Sequence, residues 1–353
     1  MRIGVFVPNW VGDVVMATPT LRSLRGLAGP DGRLIGVMRP YVAEVLEGLP
    51  WFDDVVLSAK GSGGSGSGGA SSWPEARRRL RRLGLDRAVL LTNSLRTAWM
   101  AWQSGARERI GLAGNLRSPL LTTRVFAPRR GWRRAPLPTI DGYLQIAQAA
   151  GGLIDSPRLE LATTEADERR ADAAWARLGL DRGGPVAVLN TGGAFGAAKD
   201  WPGEHFSALA RRLAEAGWQV AINCGPRERE SAARVAAGAA HRRVTSLAEF
   251  PELPLGLTKA LVRRCQLLVT TDSGPRFFGV AFGVPTVALF GPTSVAATRT
   301  GAAHEICLSL GLPCQPCMAR TCPLSHHRCL RDLSVDQAWQ AIERLTGSAL
   351  RAA

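Results

Sequence analysis

The chain has 353 residues, more than one hydrophobic core usually organises, so two domains are expected. Hydrophobic residues make up 46% and charged residues 21% of the sequence, which excludes a wholly disordered chain. The formal net charge is +15, and only Lys60, Lys199 and Lys259 among the 44 basic residues are lysines. This arginine excess fits a coding bias, and it equally fits anionic partners such as a nucleotide diphosphate, a phosphorylated glycolipid or an anionic membrane face.

The apolar runs and the cysteines bear on the compartment. No run is long enough for a transmembrane helix. The opening run Ile3–Val7 lacks a small-residue cleavage site and ends in a glycine turn, so it predicts a first β-strand rather than a signal peptide. The seven cysteines are an odd number crowded toward the C-terminus, unlike a secreted disulfide framework. A cytoplasmic protein is therefore expected.

Short β-branched runs alternate with amphipathic stretches in the first half, as is typical of βα units around a parallel sheet. The predicted strands are Ile3–Val7, Leu34–Met38, Asp54–Leu57 and Ala88–Thr92. The predicted helices are Val14–Leu27, Val42–Gly48, Trp73–Leu83 and Leu95–Gln103. The Gly/Ser-rich residues 61–72 cannot bury apolar area, so they predict a flexible surface loop, either a tolerated insertion or a flap over an acceptor site.

The second half repeats this rhythm after Asp155-Ser156-Pro157, which breaks regular structure. Its predicted strands are Val186–Asn190, Gln219–Asn223, Leu267–Thr270 and Thr286–Phe290. Its predicted helices are Gly203–Ala216, Glu228–Ala237, Leu255–Arg264 and Pro275–Phe282. We therefore predict an α/β protein with an N-terminal domain at residues 1–155, a C-terminal domain at 165–330 and a C-terminal helix at 331–353.

A first candidate site follows the first strand, at Asn9, Trp10, Gly12 and Asp13. A glycine and an aspartate at a strand-to-helix turn place Asp13 at the N-cap or in the first helical turn, where the helix dipole favours an ionised carboxylate. Open α/β sheets bind ligands at the carboxyl ends of their strands, so this carboxylate is a candidate general base. Simple capping of the helix is the other interpretation.

A second candidate site follows the first strand of the second half. Thr191 and Gly192 begin a glycine-containing loop whose amides can approach a phosphate, and Lys199 adds a positive charge. The spacing is not that of a P-loop. The turn Asp272-Ser273-Gly274 ends another strand, with Pro275 suited to the first turn of the next helix. This turn can cradle a diphosphate, or it can be only a strand-to-helix joint.

A third feature is the cysteine-rich tail, which carries His326 and His327 among its thiols. The four cysteines of its core are Cys314, Cys317, Cys322 and Cys329. A Cys-x2-Cys pair followed by further Cys and His suggests a closed structural zinc site, although the spacing matches no standard ribbon or finger. Reduced structural thiols are the alternative interpretation.

Taken in order, these segments resemble glycosyltransferase family 9, the ADP-heptose:lipopolysaccharide heptosyltransferases, and most of all its heptosyltransferase II members. The segments that carry the resemblance are Pro8–Asp13, Lys199–Pro202, Asp272–Gly274, Phe290–Thr293 and Cys314–Cys329. The resemblance implies a GT-B-type fold with two Rossmann-like domains facing across a cleft. The N-terminal domain would hold the acceptor and the C-terminal domain the nucleotide sugar.

The resemblance also implies residue roles. Asp13 matches the catalytic base, with Asn9, Trp10 and Gly12 on the acceptor side, and Lys199 matches a lysine that contacts the donor phosphate and supports catalysis. The other donor-binding positions that it implies are Thr191, Gly192, Asp272, Ser273, Gly274 and either Glu228 or Glu230. No cofactor is expected for catalysis. The expected partners are ADP-heptose, a lipopolysaccharide core glycolipid and, peripherally, an anionic membrane face, but not nucleic acid.

One departure from the family pattern concerns the residue three positions after Gly274. The family commonly carries a histidine where this chain has Phe277, and the neighbouring Arg276 is a candidate to replace its charge. This departure keeps two alternatives open, a catalytically weak protein that binds a sugar nucleotide or glycolipid, and a family member that uses a different nucleotide sugar.

Overall fold

The computed structural model describes residues 1–58, 72–130, 133–134, 137–181, 183–193 and 195–347. The Gly/Ser-rich stretch predicted as a loop at residues 61–72 lies outside the described residues, apart from Ser72. The chain divides into two compact units. Unit 1 comprises Met1–Ala162 with Ala296–Arg299, and unit 2 comprises Thr163–Val295 with Thr300–Ala353.

Unit 1 contains a six-stranded parallel sheet in the order β3-β2-β1-β4-β5-β6. Its strands are β1 (Arg2–Phe6), β2 (Arg33–Met38), β3 (Asp54–Leu57), β4 (Arg87–Leu90), β5 (Glu108–Leu112) and β6 (Thr123–Val125), followed by the short antiparallel pair β7 (Arg129–Arg130) and β8 (Arg133–Arg134). Its helices are α1 (Val11–Met16), α2 (Thr18–Ala28), α3 (Pro40–Leu46), α4 (Trp73–Leu83), α5 (Leu95–Gln103) and α6 (Thr139–Ala149).

Unit 2 repeats the architecture with the order β11-β10-β9-β12-β13-β14, again parallel. Its strands are β9 (Val186–Asn190), β10 (Gln219–Asn223), β11 (Val244–Ser246), β12 (Leu267–Thr271), β13 (Thr286–Leu289) and β14 (Glu305–Leu308). Its helices are α7 (Glu165–Leu178), α8 (Gly203–Glu215), α9 (Arg229–Ala239), α10 (Leu255–Arg264), α11 (Gly274–Phe282), α12 (Arg328–Arg331) and α13 (Val335–Thr346).

The central strands explain why the sequence reads as continuous apolar runs. Every residue of β9, β10 and β12 is buried, because helices cover both faces of a parallel sheet. Edge strands differ, since all four residues of β14 are only half-buried. No helix within the described residues is long and apolar enough to cross a bilayer.

The helix predicted at Val14–Leu27 is in fact two helices with a break at Ala17. Helix α1 ends at Met16, and Ala17 donates its backbone N–H to Asp13 O at 3.0 Å. Helix α2 begins at Thr18, and its second residue, Pro19, has no N–H with which to continue the preceding ladder. The break makes α1 a short helix that holds the residues directly after β1.

Candidate functional site

Each sheet has one point where the strand order reverses, and the candidate residues lie at these two points. In unit 1 the reversal is between β1 and β4, and Asn9–Asp13 follow β1. In unit 2 it is between β9 and β12, where Thr191 follows β9 and Asp272 follows β12. Loops leave such a point in opposite directions and open a crevice at the carboxyl ends of the strands, which is where doubly wound sheets bind ligands.

Lys199 is held at the reversal point of unit 2. It ends a short 3₁₀ turn, Ala197–Lys199, and its Nζ donates to the backbone O of Asp272 at 2.6 Å and to Asp272 Oδ2 at 2.8 Å. Thr293 Oγ1 also donates to Asp272 Oδ2, at 2.7 Å. Burial raises the pKa of Asp272, but the charge and hydrogen bond of Lys199 outweigh it, with smaller help from Thr293 and Arg276, so its pKa is lowered. Asp272 is therefore ionised at neutral pH.

Below this pair, a buried network of hydroxyls and amides fixes the start of α11. Ser273 is the N-cap residue of α11, and its Oγ lies 3.0 Å from Thr270 Oγ1 and accepts from Asn190 Nδ2 at 3.2 Å. Asn190 is fixed in turn, because its Oδ1 accepts from Asn223 Nδ2 at 2.8 Å. The Ser273 side chain hydrogen-bonds to these buried residues and does not cap α11. The first backbone N–H groups of α11 therefore remain available to bind an anion.

The glycines after β9 are required by close contacts. A Cβ at Gly192 would overlap the carboxylate of Glu228, and one at Gly193 would lie 3.1 Å from Ser273 Cβ. Glu228 accepts a hydrogen bond from the backbone N of Gly225 at 2.7 Å. Glu230 is not at this edge, since its side chain is 88% exposed on α9 and pairs with Arg234. The fold thus brings Glu228, but not Glu230, to the other predicted donor residues.

Thr191 supplies a polar group that no described residue satisfies. It is 7% exposed, and its Oγ1 is buried without a hydrogen-bond partner in the part of the chain that the structure describes. An unpaired buried hydroxyl costs free energy, so its position beside a candidate phosphate site is informative. A bound ligand or water is the expected partner.

In unit 1, Asp13 is the third residue of α1, and the N-cap position belongs to Trp10. The Asp13 carboxylate lies near enough to Tyr143 of α6 to influence its hydroxyl. Burial, and after it the charge of Asp13, raises the pKa of Tyr143. The other tyrosine, Tyr41, donates its hydroxyl to the backbone O of Asn9. Both tyrosines of the chain therefore support the segment after β1. Sequence reasoning missed them, although their scarcity was a usable signal.

A small, open pocket lies beside this segment within unit 1. Its polar lining residues are Asn9, Arg39, Ser58, Thr92, Ser94, Arg96 and Thr97. Trp73 also lines it, with the guanidinium of Arg96 4.5 Å from its ring centroid. The pocket combines two cations with hydroxyls, a lining suited to a hydroxylated anionic ligand.

The cysteine tail lies against the loop that carries Lys199. Ala198 donates its N–H to the backbone O of Arg320 at 3.0 Å, and its carbonyl accepts from His327 Nε2 at 2.9 Å. Cys314, Cys317, Cys322, Cys329, His326 and His327 line one small pocket. Burial first, and then the other three cysteines, raise the pKa of Cys329. Nevertheless, no group of three or more His, Cys, Asp or Glu side chains in the described ranges is arranged to hold a metal ion.

Comparison with known proteins identifies the family. A model described as glycosyltransferase family 9 (heptosyltransferase) matches residues 73–327. The chain belongs to this family. It is 27% identical over 301 residues to lipopolysaccharide heptosyltransferase 2 of Escherichia coli (strain K12), which covers 83% of this chain and 84% of that protein.

Two solved structures share the fold. The structure of E. coli ADP-heptose lps heptosyltransferase II matches with a TM-score of 0.76 at 23% identity, covering 98% of each chain. A glycosyl transferase family 9 protein from Veillonella parvula DSM 2008 matches with a TM-score of 0.78 at 26% identity, covering 99% of this chain and 97% of that one. The family model confirms the predicted family, and these likenesses confirm the predicted α/β, GT-B-type fold. As a member of family 9, the chain is a glycosyltransferase.

The structure shows the surroundings of Arg276 and Phe277, where the sequence departs from the family pattern. Arg276 was a candidate to replace the charge of the family's histidine, and this interpretation is wrong, because Arg276 is 0% exposed and points inward. Its Nε donates to Glu305 Oε1 at 2.6 Å, and its Nη1 donates to Asp272 Oδ1 at 3.3 Å. The rings of Phe277 and Phe290 each lie 4.8 Å from its guanidinium carbon. Phe277 therefore packs against a buried cation.

Proposed function

We propose that this family 9 glycosyltransferase moves heptose from ADP-heptose to an inner-core lipopolysaccharide acceptor with inversion at the anomeric carbon. The observation that carries the proposal is that Lys199, held by Asp272, lies beside the N-terminus of α11 at a ligand-binding edge of the sheet. Relatives named lipopolysaccharide heptosyltransferase 2 support the choice of heptose.

Unit 2 would hold the donor. Lys199 would meet the diphosphate together with amides at Ser273 and Gly274. Thr191 and Glu228 would line the same edge, and Glu228 would meet a hydroxyl of the ribose. These charges and dipoles are fixed before reaction by the hydrogen bonds described above. They would stabilise the negative charge that develops on the departing ADP.

Unit 1 would hold the acceptor, with Asp13 as the general base and Asn9, Trp10 and Gly12 near it. Asp13 would take the proton of an acceptor hydroxyl as its oxygen bonds to the anomeric carbon. The bond from that carbon to the phosphate oxygen breaks, and ADP leaves with the electron pair. One base and one displacement give inversion, and neither step calls for a metal ion.

The proposed acceptor is a lipid-linked glycan, so the proposed place of action is the cytoplasmic face of the inner membrane. The net charge of +15 supports contact with an anionic lipid surface. The same charge gives no reason to propose a nucleic acid, since the sequence carries no recognised nucleic-acid-binding motif.

Phe277 favours a second candidate, a catalytically weak protein that binds a sugar nucleotide or glycolipid. A phenyl ring cannot donate the hydrogen bond that the family's histidine offers, and Arg276 does not replace it. A family member with a different nucleotide sugar is the related alternative. Binding of ADP-heptose without turnover would support the first, and transfer from another donor would support the second.

The deciding experiment measures heptosyl transfer from ADP-heptose to a deacylated inner-core acceptor, with UDP- and GDP-sugars in parallel reactions. Transfer from ADP-heptose alone is the expected result, with a product of inverted anomeric configuration by NMR. No transfer in the presence of measurable ADP-heptose binding would replace the proposed enzyme by the binding protein.

We also propose a structural zinc ion at Cys314, Cys317, Cys322 and Cys329, with His326 or His327 as an alternative ligand. The support is that these side chains line one pocket, and thiols with imidazoles are the ligands that zinc prefers. Binding requires the side chains to rotate from the arrangement described above. Protein purified without chelators should carry about one zinc per chain, and chelation should lower Tm. Metal well below stoichiometric amounts, with all seven thiols free on denaturation, would end the proposal.

A further inference from the structure

Helix α5 exposes large apolar side chains along one face. Leu95, Trp99 and Trp102 are 46%, 44% and 48% exposed, and they recur at helical spacing. The rings of Trp99 and Trp102 lie 4.9 Å apart, so they form one continuous surface. The opposite face of α5 is buried through Met100 and Ala101. Two tryptophans side by side on the outer face of a helix are unusual without a partner.

Helix α4 exposes cations next to this surface. Arg78, Arg81 and Arg82 are exposed, while Ala76 and Leu80 on its inner face are completely buried. The inner faces of α4 and α5 join the same hydrophobic cluster against the sheet, so their outer faces point to the same side of unit 1. The side thus combines three arginines with an indole pair.

We propose that the outer faces of α4 and α5 form a docking surface for an anionic lipid bilayer. Arginine side chains extend to anionic headgroups, and indole rings prefer the boundary between headgroups and acyl chains. The combination of charge with aromatic surface favours lipid over a protein partner, because a protein would have to supply both an acidic and an apolar face. The docking surface is independent of the transfer chemistry, and it deepens the proposed function by stating how a lipid-linked acceptor would be approached.

The pocket of unit 1 begins where this surface ends. Trp73 is the first residue of α4, Ser94 is the N-cap residue of α5, and both line the pocket with Arg96. A glycan whose lipid remains in the bilayer would therefore reach the pocket from the docked side.

The test is flotation of the full chain with vesicles of phosphatidylcholine containing about one-third phosphatidylglycerol, against phosphatidylcholine alone. Wild-type protein should float only with the anionic vesicles, and high salt should weaken the binding. The triple variant Arg78→Gln, Arg81→Gln, Arg82→Gln should bind about 100-fold more weakly, since each arginine near such a surface is worth about a 5-fold effect. Trp99→Ser with Trp102→Ser should also weaken binding, about 10-fold.

Two control variants make the same kinds of substitution, arginine to glutamine and apolar to serine, outside the docking surface. The triple variant Arg211→Gln, Arg242→Gln, Arg331→Gln removes the same charge from exposed sites of unit 2, and Leu153→Ser removes an exposed apolar side chain elsewhere in unit 1. Both should bind as wild type. Equal losses in control and surface variants, or no vesicle binding by the wild type, would overturn the proposal. A wild-type dimer abolished by the Trp99/Trp102 variant would instead assign the surface to a second copy.

Transfer to a water-soluble acceptor separates this proposal from the proposed function. The surface variants should retain that activity, because none of the substituted residues lines the pocket of unit 1. Vesicle binding without any transferase activity in the wild type would remove the proposed function and leave the docking surface standing.

A separate observation concerns the charged groups that share Asp272 with Lys199. Arg276 lies closer to Glu305 than to Asp272, since its Nε donates to Glu305 Oε1 at 2.6 Å, whereas its Nη1 donates to Asp272 Oδ1 at 3.3 Å. Its Nη2 donates to Glu305 Oε2 at 3.2 Å and to Cys307 Sγ at 3.4 Å. Thr300 Oγ1 donates to Glu305 Oε2 at 2.5 Å and fixes its orientation. The stronger hold of Glu305 leaves part of the Asp272 charge to Lys199.

We infer that Arg276 and Glu305 are positioning residues that set how tightly Asp272 retains Lys199, and thereby how much of its charge reaches the donor phosphate. This inference rests on the proposed donor site. Loss of Arg276 leaves Asp272 to Lys199 alone, so ADP should bind more weakly. Loss of the Glu305 charge lets Arg276 pair more strongly with Asp272. Asp272 then holds Lys199 less tightly, so ADP should bind more tightly.

The two variants are expected to change ADP affinity in opposite directions, and this difference tests the inference. Calorimetric titration with ADP should show about 5-fold weaker binding for Arg276→Met with Glu305→Gln, and a smaller gain in affinity for Glu305→Gln alone. The double variant avoids leaving an unpaired buried carboxylate, and Tm is recorded for each protein. Weaker binding in both variants, in proportion to lost Tm, would reduce the residues to a structural role. Failure of wild-type protein to bind ADP would instead refute the donor site itself.

Discussion

At the scale of single residues, Asp13 is the group whose role is most directly measurable. Asp13→Asn keeps the size of the side chain but removes the base, so kcat should fall by about 10²–10⁴-fold. The ADP dissociation constant should stay unchanged, because Asp13 belongs to unit 1 and the proposed donor site to unit 2. Steady-state kinetics and ADP titration check both parts.

A matched control is Asp31→Asn, which alters an exposed aspartate of the same unit and should behave as wild type. Wild-type kcat in Asp13→Asn would reduce Asp13 to a support of the first turn of α1.

The two described lysines allow a second comparison. Lys199→Met should weaken ADP binding by about 10-fold or more, since a charged hydrogen bond to phosphate is lost. Lys259 is 0% exposed and lies 3.7 Å from Asp167, whose other cation, Arg170 at 3.8 Å, is half-exposed, so Lys259→Met removes the buried partner of that carboxylate and should cost up to about 3–5 kcal/mol of stability. ADP affinity per folded molecule should be unaffected there. Equal ADP affinity in wild type and Lys199→Met would remove Lys199 from the site.

Asp272 predicts a pH dependence of stability. Its folded pKa is lowered, so its contribution is fully present above the ordinary aspartate pKa of about 3.9 and is lost as the pH falls through the lower folded value. Asp272→Asn should therefore lower Tm at pH 7, and the gap from wild type should close as the pH falls below about 4. The exposed pair Arg212–Asp336 gives the control Asp336→Asn, which should follow wild type at every pH. A pH-independent gap would contradict the ionised pair.

At the scale of elements, the buried central strands could be predicted from sequence, whereas among the edge strands of the two six-stranded sheets only β3 is predicted. The runs around β1, β9, β10 and β12 are apolar because helices cover both faces. Strands β6 and β11 have three residues each, too few for a pattern, and β5 begins with Glu108 and Arg109. Residues at a sheet edge are less buried, so fewer of them need to be apolar. The hydrophobic pattern of an edge strand in the sequence is therefore weaker.

The site divides in the same way. Residues that follow a strand directly, such as Asp13 and Asp272, could be placed at the ligand-binding edge by the strand pattern alone. The partners of Arg276 could not, because Glu305 lies on the far edge strand and reaches Arg276 only through the sheet order. Glu228 and Glu230 are two residues apart, and only the helix start between them decides which faces Gly192.

The loop after β9 gives a prediction for an element. Gly192→Ala places a methyl group where the Glu228 carboxylate lies, so the carboxylate must move and loses its hydrogen bond from Gly225. ADP or ADP-sugar binding should weaken by about 1–3 kcal/mol. Gly203→Ala is the control, because its nearest neighbour would be Val235 at 3.7 Å, an ordinary contact. Unaltered binding in Gly192→Ala would show that Glu228 takes no part in the donor edge.

At the scale of the whole molecule, the two units use one architecture for two tasks. Each has a six-stranded sheet whose order reverses beside its first strand, and each carries its candidate residues there. The chemistry differs because the residues after the strands differ, a carboxylate and tyrosines in unit 1 and a cation with a helix N-terminus in unit 2. A shared fold thus explains where the sites lie, and only side chains explain what they bind.

This division predicts how the protein unfolds. Each unit has its own core, so calorimetry should resolve two transitions. ADP at about 100 times its dissociation constant should stabilise one of them by about 2.7 kcal/mol and leave the other unchanged. Lys259→Met marks the transition of unit 2, and Leu24→Ala, at a completely buried position of α2, marks that of unit 1. The transition shifted by ADP should be the one lowered by Lys259→Met, and a shift of the one lowered by Leu24→Ala would place the nucleotide in unit 1.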